Sequence, residues 1–325
     1  MKVRALSDLC WEYRFISTDS AFDFGQKALS LAAKLNWEPG IAQAYNDLGI
    51  VYIDRNEYGR SLDAFHHAMQ IRMKHSDSSG IAALYNKIGI VHQKQGDLEK
   101  ALDNQLKALR IYEQMQQDLW IGYCLNNIAI IHQNLGNYKK SLEAHLRALD
   151  IRIEQSDKYG EGGSYGNIAN VYLRTGDTLL AGEYYEKAVK IFRDLASMEA
   201  LAVMLNNLGG LYISTGDYNK ALEYLREAFS IRVDLGDKKA IASTLIGLGE
   251  AYKGLSRFRE ARRSLFKALE LARKAQVIEE TKMAYQKISR LYYSMNKHDS
   301  AFYFQNLYSQ TIDSIYESRL NARIL

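Results

Sequence analysis

A column of small residues returns at every fortieth position of this chain: Gly49, Gly89, Ala129, Ala169, Gly209, Gly249 and Ser289. Three residues further on stand Tyr52, His92, His132, Tyr172, Tyr212, Tyr252 and Tyr292. Nineteen residues past the small column come Ala68, Ala108, Ala148, Ala188, Ala228 and Ala268, followed three later by Ile71, Ile111, Ile151, Ile191, Ile231 and Leu271. Four columns in register require one supersecondary unit repeated along the chain, each copy burying its apolar face against the next.

Inside each unit the apolar residues fall at helical spacing in two runs, Ile41 to Ile53 and Tyr58 to Met73 for example, separated by a short polar turn. Each unit is therefore expected to be a helical hairpin. The turns Arg55-Asn56-Glu57, Gln95-Gly96-Asp97, Leu135-Gly136-Asn137, Thr175-Gly176-Asp177 and Thr215-Gly216-Asp217 place Gly or Asn where a helix ends left-handed. The Asp or Asn that follows suits the N-cap of the second helix. The small residue on the first helix (A) and the alanine on the second (B) let the pair approach closely.

Composition supports one continuous array. The 325 residues contain a single proline, Pro39, and no Ser/Gly/Pro-rich stretch able to act as a linker. A net charge of +4 is too balanced to announce a phosphate-binding surface, so nucleic acid is not expected as a partner. Cys10 and Cys124 lie nearly three repeat lengths apart and are expected to be buried thiols. Asp8 interrupts any signal-peptide core, and no stretch approaches the ~18 apolar residues of a membrane span. The expectation is a cytoplasmic chain without direct membrane insertion, or a periplasmic one if a leader precedes it.

The residues resemble the tetratricopeptide repeat (TPR) family, through Leu48-Gly49-Ile50-Val51-Tyr52, Gly136-Asn137-Tyr138, Ala221-Leu222 and Ala108-Leu109-Arg110-Ile111. The resemblance implies an all-α, right-handed superhelical solenoid of about eight helix-turn-helix repeats. The boundaries expected are a degenerate first repeat at 1–39, regular repeats at 40–79, 80–119, 120–159, 160–199, 200–239 and 240–279, a degenerate last repeat at 280–308, and a capping or connecting helix at 309–325. The usual TPR unit has 34 residues and a proline after helix B; here the period is 40 without that proline. The extra residues are expected between helix B and the next helix A, as in 74–80 and 155–160, with helix B about a turn longer. HEAT repeats share the longer period but not these Gly, Tyr and Ala offsets.

In this family helix A lines the concave face, where ligands usually sit. Its positions outside the hairpin seam are rich in amides: one column reads Asn46, Asn86, Asn126, Gly166, Asn206, Ile246, Gln286, and its neighbour Asp47, Lys87, Asn127, Asn167, Asn207, Gly247, Lys287. Asn170 and Asn134 extend the strip. An Asn side chain offers a donor and an acceptor and so pairs with any peptide group. Packed helices lie ~8–10 Å apart and an extended peptide rises ~3.3–3.6 Å per residue, so one amide would meet roughly every third ligand residue. Asparagine ladders of this kind hold extended peptides in the 40-residue TPR arrays of kinesin light chain and the spindle-orientation adaptors. The expected site is Asn46, Asn86, Asn126, Asn127, Asn167, Asn170, Asn206 and Asn207; the alternative is that these amides brace neighbouring repeats. Gly163 and Gly166 are expected to leave a notch in the groove, walled by Asn126, Asn127, Asn167 and Asn170, or else to mark a weak spot in the helix.

Other chemistry finds little support. Gly160-Glu161-Gly162-Gly163-Ser164-Tyr165-Gly166 follows no predicted strand and lacks dinucleotide-loop spacing. The carboxylate clamp of chaperone-cofactor TPR domains needs Lys, Asn and Arg in a set, and Lys87 and Lys94 occur without the rest. Adjacent His66 and His67 point ~100° apart on a helix and cannot readily share an ion, while His92 and His132 occupy the tyrosine seam column. The basic residues of 257–274 read as a solvated outer face. No catalytic arrangement, metal site or cofactor is expected.

Tyr308, Ile312, Ile315, Tyr316, Leu320 and Ile324 keep helical spacing after the last hairpin, which suits packing back on repeat eight, a homodimer through the C-terminal helix, or continuation into further chain. Trp11-Glu12-Tyr13-Arg14 and Asp313-Ser314-Ile315-Tyr316 resemble the opening and closing helices of the TPR sensor regions of bacterial histidine kinases and nucleotide cyclases. The sequence thus points to a protein-interaction scaffold binding an extended peptide or a partner helix, or to the regulatory region of a larger bacterial signalling protein.

Overall fold

The structure, a computed structural model, describes residues 2–324, and the side chains of residues 2–317. The described chain forms helices joined by short turns, an all-α helical-repeat solenoid, and it divides into two compact units, Met1–Asp157 and Lys158–Leu325. The first unit holds α1 (Lys2–Tyr13), α2 (Thr18–Lys34), α3 (Glu38–Asp54), α4 (Tyr58–Lys74), α5 (Ser78–Gln95), α6 (Leu98–Gln114), α7 (Asp118–Asn134) and α8 (Tyr138–Glu154). The second holds α9 (Lys158–Thr175), α10 (Thr178–Asp194), α11 (Met198–Thr215), α12 (Tyr218–Leu235), α13 (Lys238–Gly254), α14 (Phe258–Lys274), α15 (Ile278–Ser294) and α16 (His298–Ile324). Odd-numbered helices are the A members of the hairpins and even-numbered helices the B members.

The hairpin seam is built on the small column. A β-carbon at Gly49 would lie 2.6 Å from Phe65 Cδ1, and one at Gly209 would lie 2.7 Å from Leu225 Cδ2. The large side chain of helix B therefore lies directly on the backbone of helix A. Ser61 Oγ adds a bond to the Gly49 carbonyl at 2.8 Å. Full burial of a side chain such as Leu225 contributes about 2 kcal/mol.

The turns from A to B follow the expected left-handed geometry, although Asn137 makes no side-chain cap bond to α8. Gly96, Gly136, Gly176 and Gly216 take positive φ, and Asp97, Asp177 and Asp217 cap the following helix through their side chains. The turns from B to A also pass through the left-handed region, mostly without glycine: Ser76, Gln116, Ser156, Ala196 and Gln276 have φ of 51–55°. The six residues beyond the usual period are not added to this connection. Ser78–Gly80 already belong to α5, and both helices of a hairpin reach 17 or 18 residues. The division expected at 308/309 marks no break either, because α16 runs uninterrupted from His298 to Ile324.

Within the first unit the A helices α1, α3, α5 and α7 touch one another in succession, and within the second α11, α13 and α15 do the same, while successive B helices approach far less. The A layer of each unit is thus the shorter, inner arc. Among the described residues no helix is long and apolar enough to cross a membrane.

Candidate functional site

Two amide columns lie side by side on the A helices, and the structure gives them different environments. In the first column Asn46 is only 6% exposed and donates through Nδ2 to Asp47 Oδ1 at 3.1 Å. Asn86 accepts from Gln105 Nε2 at 3.4 Å and from Asn127 Nδ2 at 3.3 Å, and its own Nδ2 lies 3.9 Å from Cys124 Sγ. Asn206 accepts from Arg232 at 3.2 Å and from Thr244 Oγ1 at 3.1 Å. Asn86 and Asn206 therefore brace the repeats, reaching partners on neighbouring hairpins, whereas Asn46 is buried and bonded within its own helix. Asn126 is half-buried and also engaged.

The second column is engaged differently. Asn127, Asn167 and Asn207 are half-buried; Asn127 donates to Asn86, Asn167 is engaged as Asn126 is, and Asn207 makes no side-chain hydrogen bond among the described residues. Asn170, one turn beyond Asn167, accepts a bond of 2.5 Å from the Tyr185 hydroxyl and belongs to the hairpin seam. The notch expected at Gly163 and Gly166 is corrected in part. A β-carbon at Gly166 would lie 2.7 Å from Met204 Sδ, so the space left by that glycine is filled by a side chain of α11; Gly163 is half-buried.

In the first unit, a shelf of rings flanks the second column. Trp120 stacks on Tyr112 with centroids 5.9 Å apart and meets Tyr123 at 5.6 Å. Trp120 is 44% and Tyr123 46% exposed, and Tyr123 lies one turn before Asn127 on the same face of α7.

The tetratricopeptide repeat family profile matches residues 40–114, 120–194 and 200–274, well over half the chain. The chain belongs to the tetratricopeptide repeat family. No curated protein matches at the sequence level. Among solved structures, this TPR array is similar to the Rap conjugation gene regulator of the plasmid pLS20 in complex with the Phr* peptide, at 15% identity and a TM-score of 0.61 over 95% of this chain and 96% of that one. It is similar to the Signal Transduction ATPase with Numerous Domains (STAND) protein PH0952 from Pyrococcus horikoshii, which has a TPR sensor, at 14% identity and a TM-score of 0.71 over 98% of this chain and 49% of that one. It is also similar to the putative kinesin light chain nearly identical TPR-like repeats of Podosopora anserina, at 17% identity and a TM-score of 0.52 over 62% of this chain and 98% of that one.

The three matched segments of the TPR array each hold two repeats, and a second periodicity of eighty residues accompanies them: Arg72, Arg152 and Arg232 alternate with Tyr112 and Phe192 at one position of helix B. Arg232 is buried and donates to the Ala240 carbonyl at 2.9 Å, to Asn206 and to Thr244. Arg152 is buried with its guanidinium 5.7 Å from the Tyr123 ring centroid. Arg72 holds Asp77 at 3.2 Å and Gln43 at 3.3 Å. The sequence reading passed over this alternation, although it is visible once repeats are compared in pairs.

Lys87, weighed in the sequence only with Lys94 for a carboxylate clamp, stands in the second column. It is half-buried on α5 and forms no ion pair or hydrogen bond among the described residues. Burial, with Arg72 nearby, pulls its ammonium down to about 8. Its equivalent on α3, Asp47, is satisfied instead by Ser7 at 2.5 Å, Gln43 at 2.7 Å and Asn46; burial nonetheless lifts its carboxyl above the ordinary range.

Cys10 and Cys124 are buried free thiols, pushed up by burial to about 11 and about 12. His92 and His132 are partly buried in the seam, where burial lowers both imidazoles. His145 on α8 is fully buried with neither ring nitrogen bonded, and burial lowers it to about 4. Among the described residues no three His, Cys, Asp or Glu side chains are grouped to hold a metal. On α16, Ile312 and Tyr316 are exposed; the side chains of Leu320 and Ile324 lie outside the described residues.

Proposed function

We propose that this TPR array is a protein-interaction scaffold in which the inner A-helix face of each unit, taken by itself, holds an extended peptide or a partner helix, with Asn127 meeting the ligand backbone on the first unit and Asn167 and Asn207 on the second. The observation that carries the reading is Asn207: a half-buried amide on the inner layer of the second unit, with donor and acceptor both open among the described residues. An amide in that state supplies a peptide group with the pair of bonds it loses on leaving water. The similar Rap regulator was solved with a peptide bound, which supports the same use of the fold here.

The wider context is a regulatory region of a signalling protein, a reading favoured by the likeness to an ATPase with a TPR sensor. Ligand binding would then bias the packing of successive hairpins and pass the change along the stack.

Selection of displayed twelve-residue peptides on the full chain tests the binding reading. Recovered peptides should bind the wild type and lose about tenfold or more in affinity on Asn127→Ala/Asn167→Ala/Asn207→Ala, consistent with one or two lost hydrogen bonds. Equal affinity for both forms would reject the inner face as the binding surface.

A further inference from the structure

The second column of the first unit changes chemistry at one step. Where α7 presents Asn127, α5 presents Lys87, and the two helices are inner-layer neighbours tied by the Asn127 to Asn86 bond. Asp47, the acid that attracts Lys87 most directly, is taken up by Ser7, Gln43 and Asn46. Arg72, the other charge near Lys87, is committed to Asp77 and Gln43. A half-buried ammonium is thus left with its donors unused among the described residues, beside a second cation. Withdrawing an ammonium from water without a directly bonded partner is costly, and the attraction of Asp47, whose oxygens are already bonded to Ser7, Gln43 and Asn46, offsets that cost only in part.

We propose that Lys87 is the recognition point for an acidic side chain of the bound peptide, so that the preferred ligand carries Asp or Glu roughly three residues from the position read by Asn127. This deepens the peptide-binding reading and rests on it. A carboxylate placed against Lys87 supplies the missing partner and is further attracted by the Arg72 guanidinium. An amide at this step would accept any peptide; a lysine converts one position of a sequence-tolerant ladder into a charge-selective one. The low ammonium value is consistent with this, because a bound carboxylate favours the charged form and raises it again.

The test uses the full chain labelled with 13C-lysine, with the Lys87 Cε signal assigned by its loss in Lys87→Arg. In chloride buffer that signal should titrate near 8. Acetyl-Glu-Glu-Glu-amide at about 20 mM should raise the midpoint by roughly half a unit or more, while acetyl-Gln-Gln-Gln-amide leaves it in place. A Lys87 signal that moves no further than those of Lys139 and Lys140, or that moves equally with both peptides, would overturn the proposal. Failure here leaves the peptide reading intact if selected peptides still depend on Asn127 and Asn207; failure of those asparagines to matter, with Lys87 still responding to the acidic peptide, would strike the peptide reading alone.

Discussion

Asn127 donates to the side-chain oxygen of Asn86 at 3.3 Å, across forty-one residues of sequence, and the two amides are not equivalent. Asn86 spends its oxygen on Asn127 and Gln105 and turns its nitrogen to Cys124, whereas Asn127 keeps its own oxygen and one N–H for other use. Replacing Asn86 with alanine should therefore cost about 1–2 kcal/mol of stability by urea denaturation. Replacing Asn207, which braces nothing, should cost no more than about 0.5 kcal/mol. Equal losses at the two positions would mean that the columns share one role.

The buried His145 predicts acid sensitivity. Its folded value of about 4 lies below the ordinary imidazole value of 6.5, so the neutral form is the one the fold tolerates. Stability from this group is complete above pH 6.5 and is lost as the pH falls toward 4, at a slope that amounts to about 2 kcal/mol between pH 6.5 and pH 5. His145→Phe, which removes the titrating imidazole, should flatten that part of the profile, at a packing cost at neutral pH because Ala129 stands where Gly49 makes room for Phe65. An unchanged slope in the variant would assign the sensitivity to other groups.

Much of this architecture was legible in the chain. The recurrence of Gly49 and its equivalents, with Ala68 and its equivalents nineteen positions on, dictates hairpins because only small residues admit Phe65 or Leu225 onto the facing backbone. The ligand face was less legible. The two amide columns are offset by a single residue, about 100° around the helix, which separates a seam position from an inner-face one; Asn206 and Asn207 show the difference directly. Periodicity states that both columns recur without saying which carbonyl or guanidinium each one meets. Arg232, whose reach to Asn206 and Ala240 claims the first column, comes from the following B helix and is invisible from helix A alone.

The connection from B to A was likewise read as extra length, and its constraint is conformational. Ala196 sits at φ 51° with no side-chain compensation, between α10 and α11. A left-handed alanine costs roughly 1–2 kcal/mol, part of which glycine returns through its greater freedom in the unfolded chain. Ala196→Gly should therefore stabilise the protein by about 0.5–1 kcal/mol in thermal or urea unfolding, and Gly216→Ala, at φ 81°, should move it the other way. A loss on Ala196→Gly would show that the turn relaxes away from this geometry.

Gly209 and Gly210 are adjacent in α11, yet alanine should have opposite effects at the two. Gly210 is exposed, with no atom within 4 Å of an added β-carbon, so Gly210→Ala gains helix propensity alone, about 1 kcal/mol. At Gly209 the same methyl would meet Leu225 Cδ2 at 2.7 Å and Cγ closer still, forcing α11 and α12 apart, and the net change should be a loss of about 1–2 kcal/mol. Equivalent repeats manage alanine in this column opposite different partners: Ala129 opposite His145 and Ala169 opposite Tyr185. The cost at 209 thus belongs to the pair, and Gly209→Ala combined with Leu225→Ala should be less damaging than the sum of the single changes, because truncating Leu225 removes the collision. Additive losses in that double-mutant cycle would show that close approach at Gly209 is not what selects glycine there.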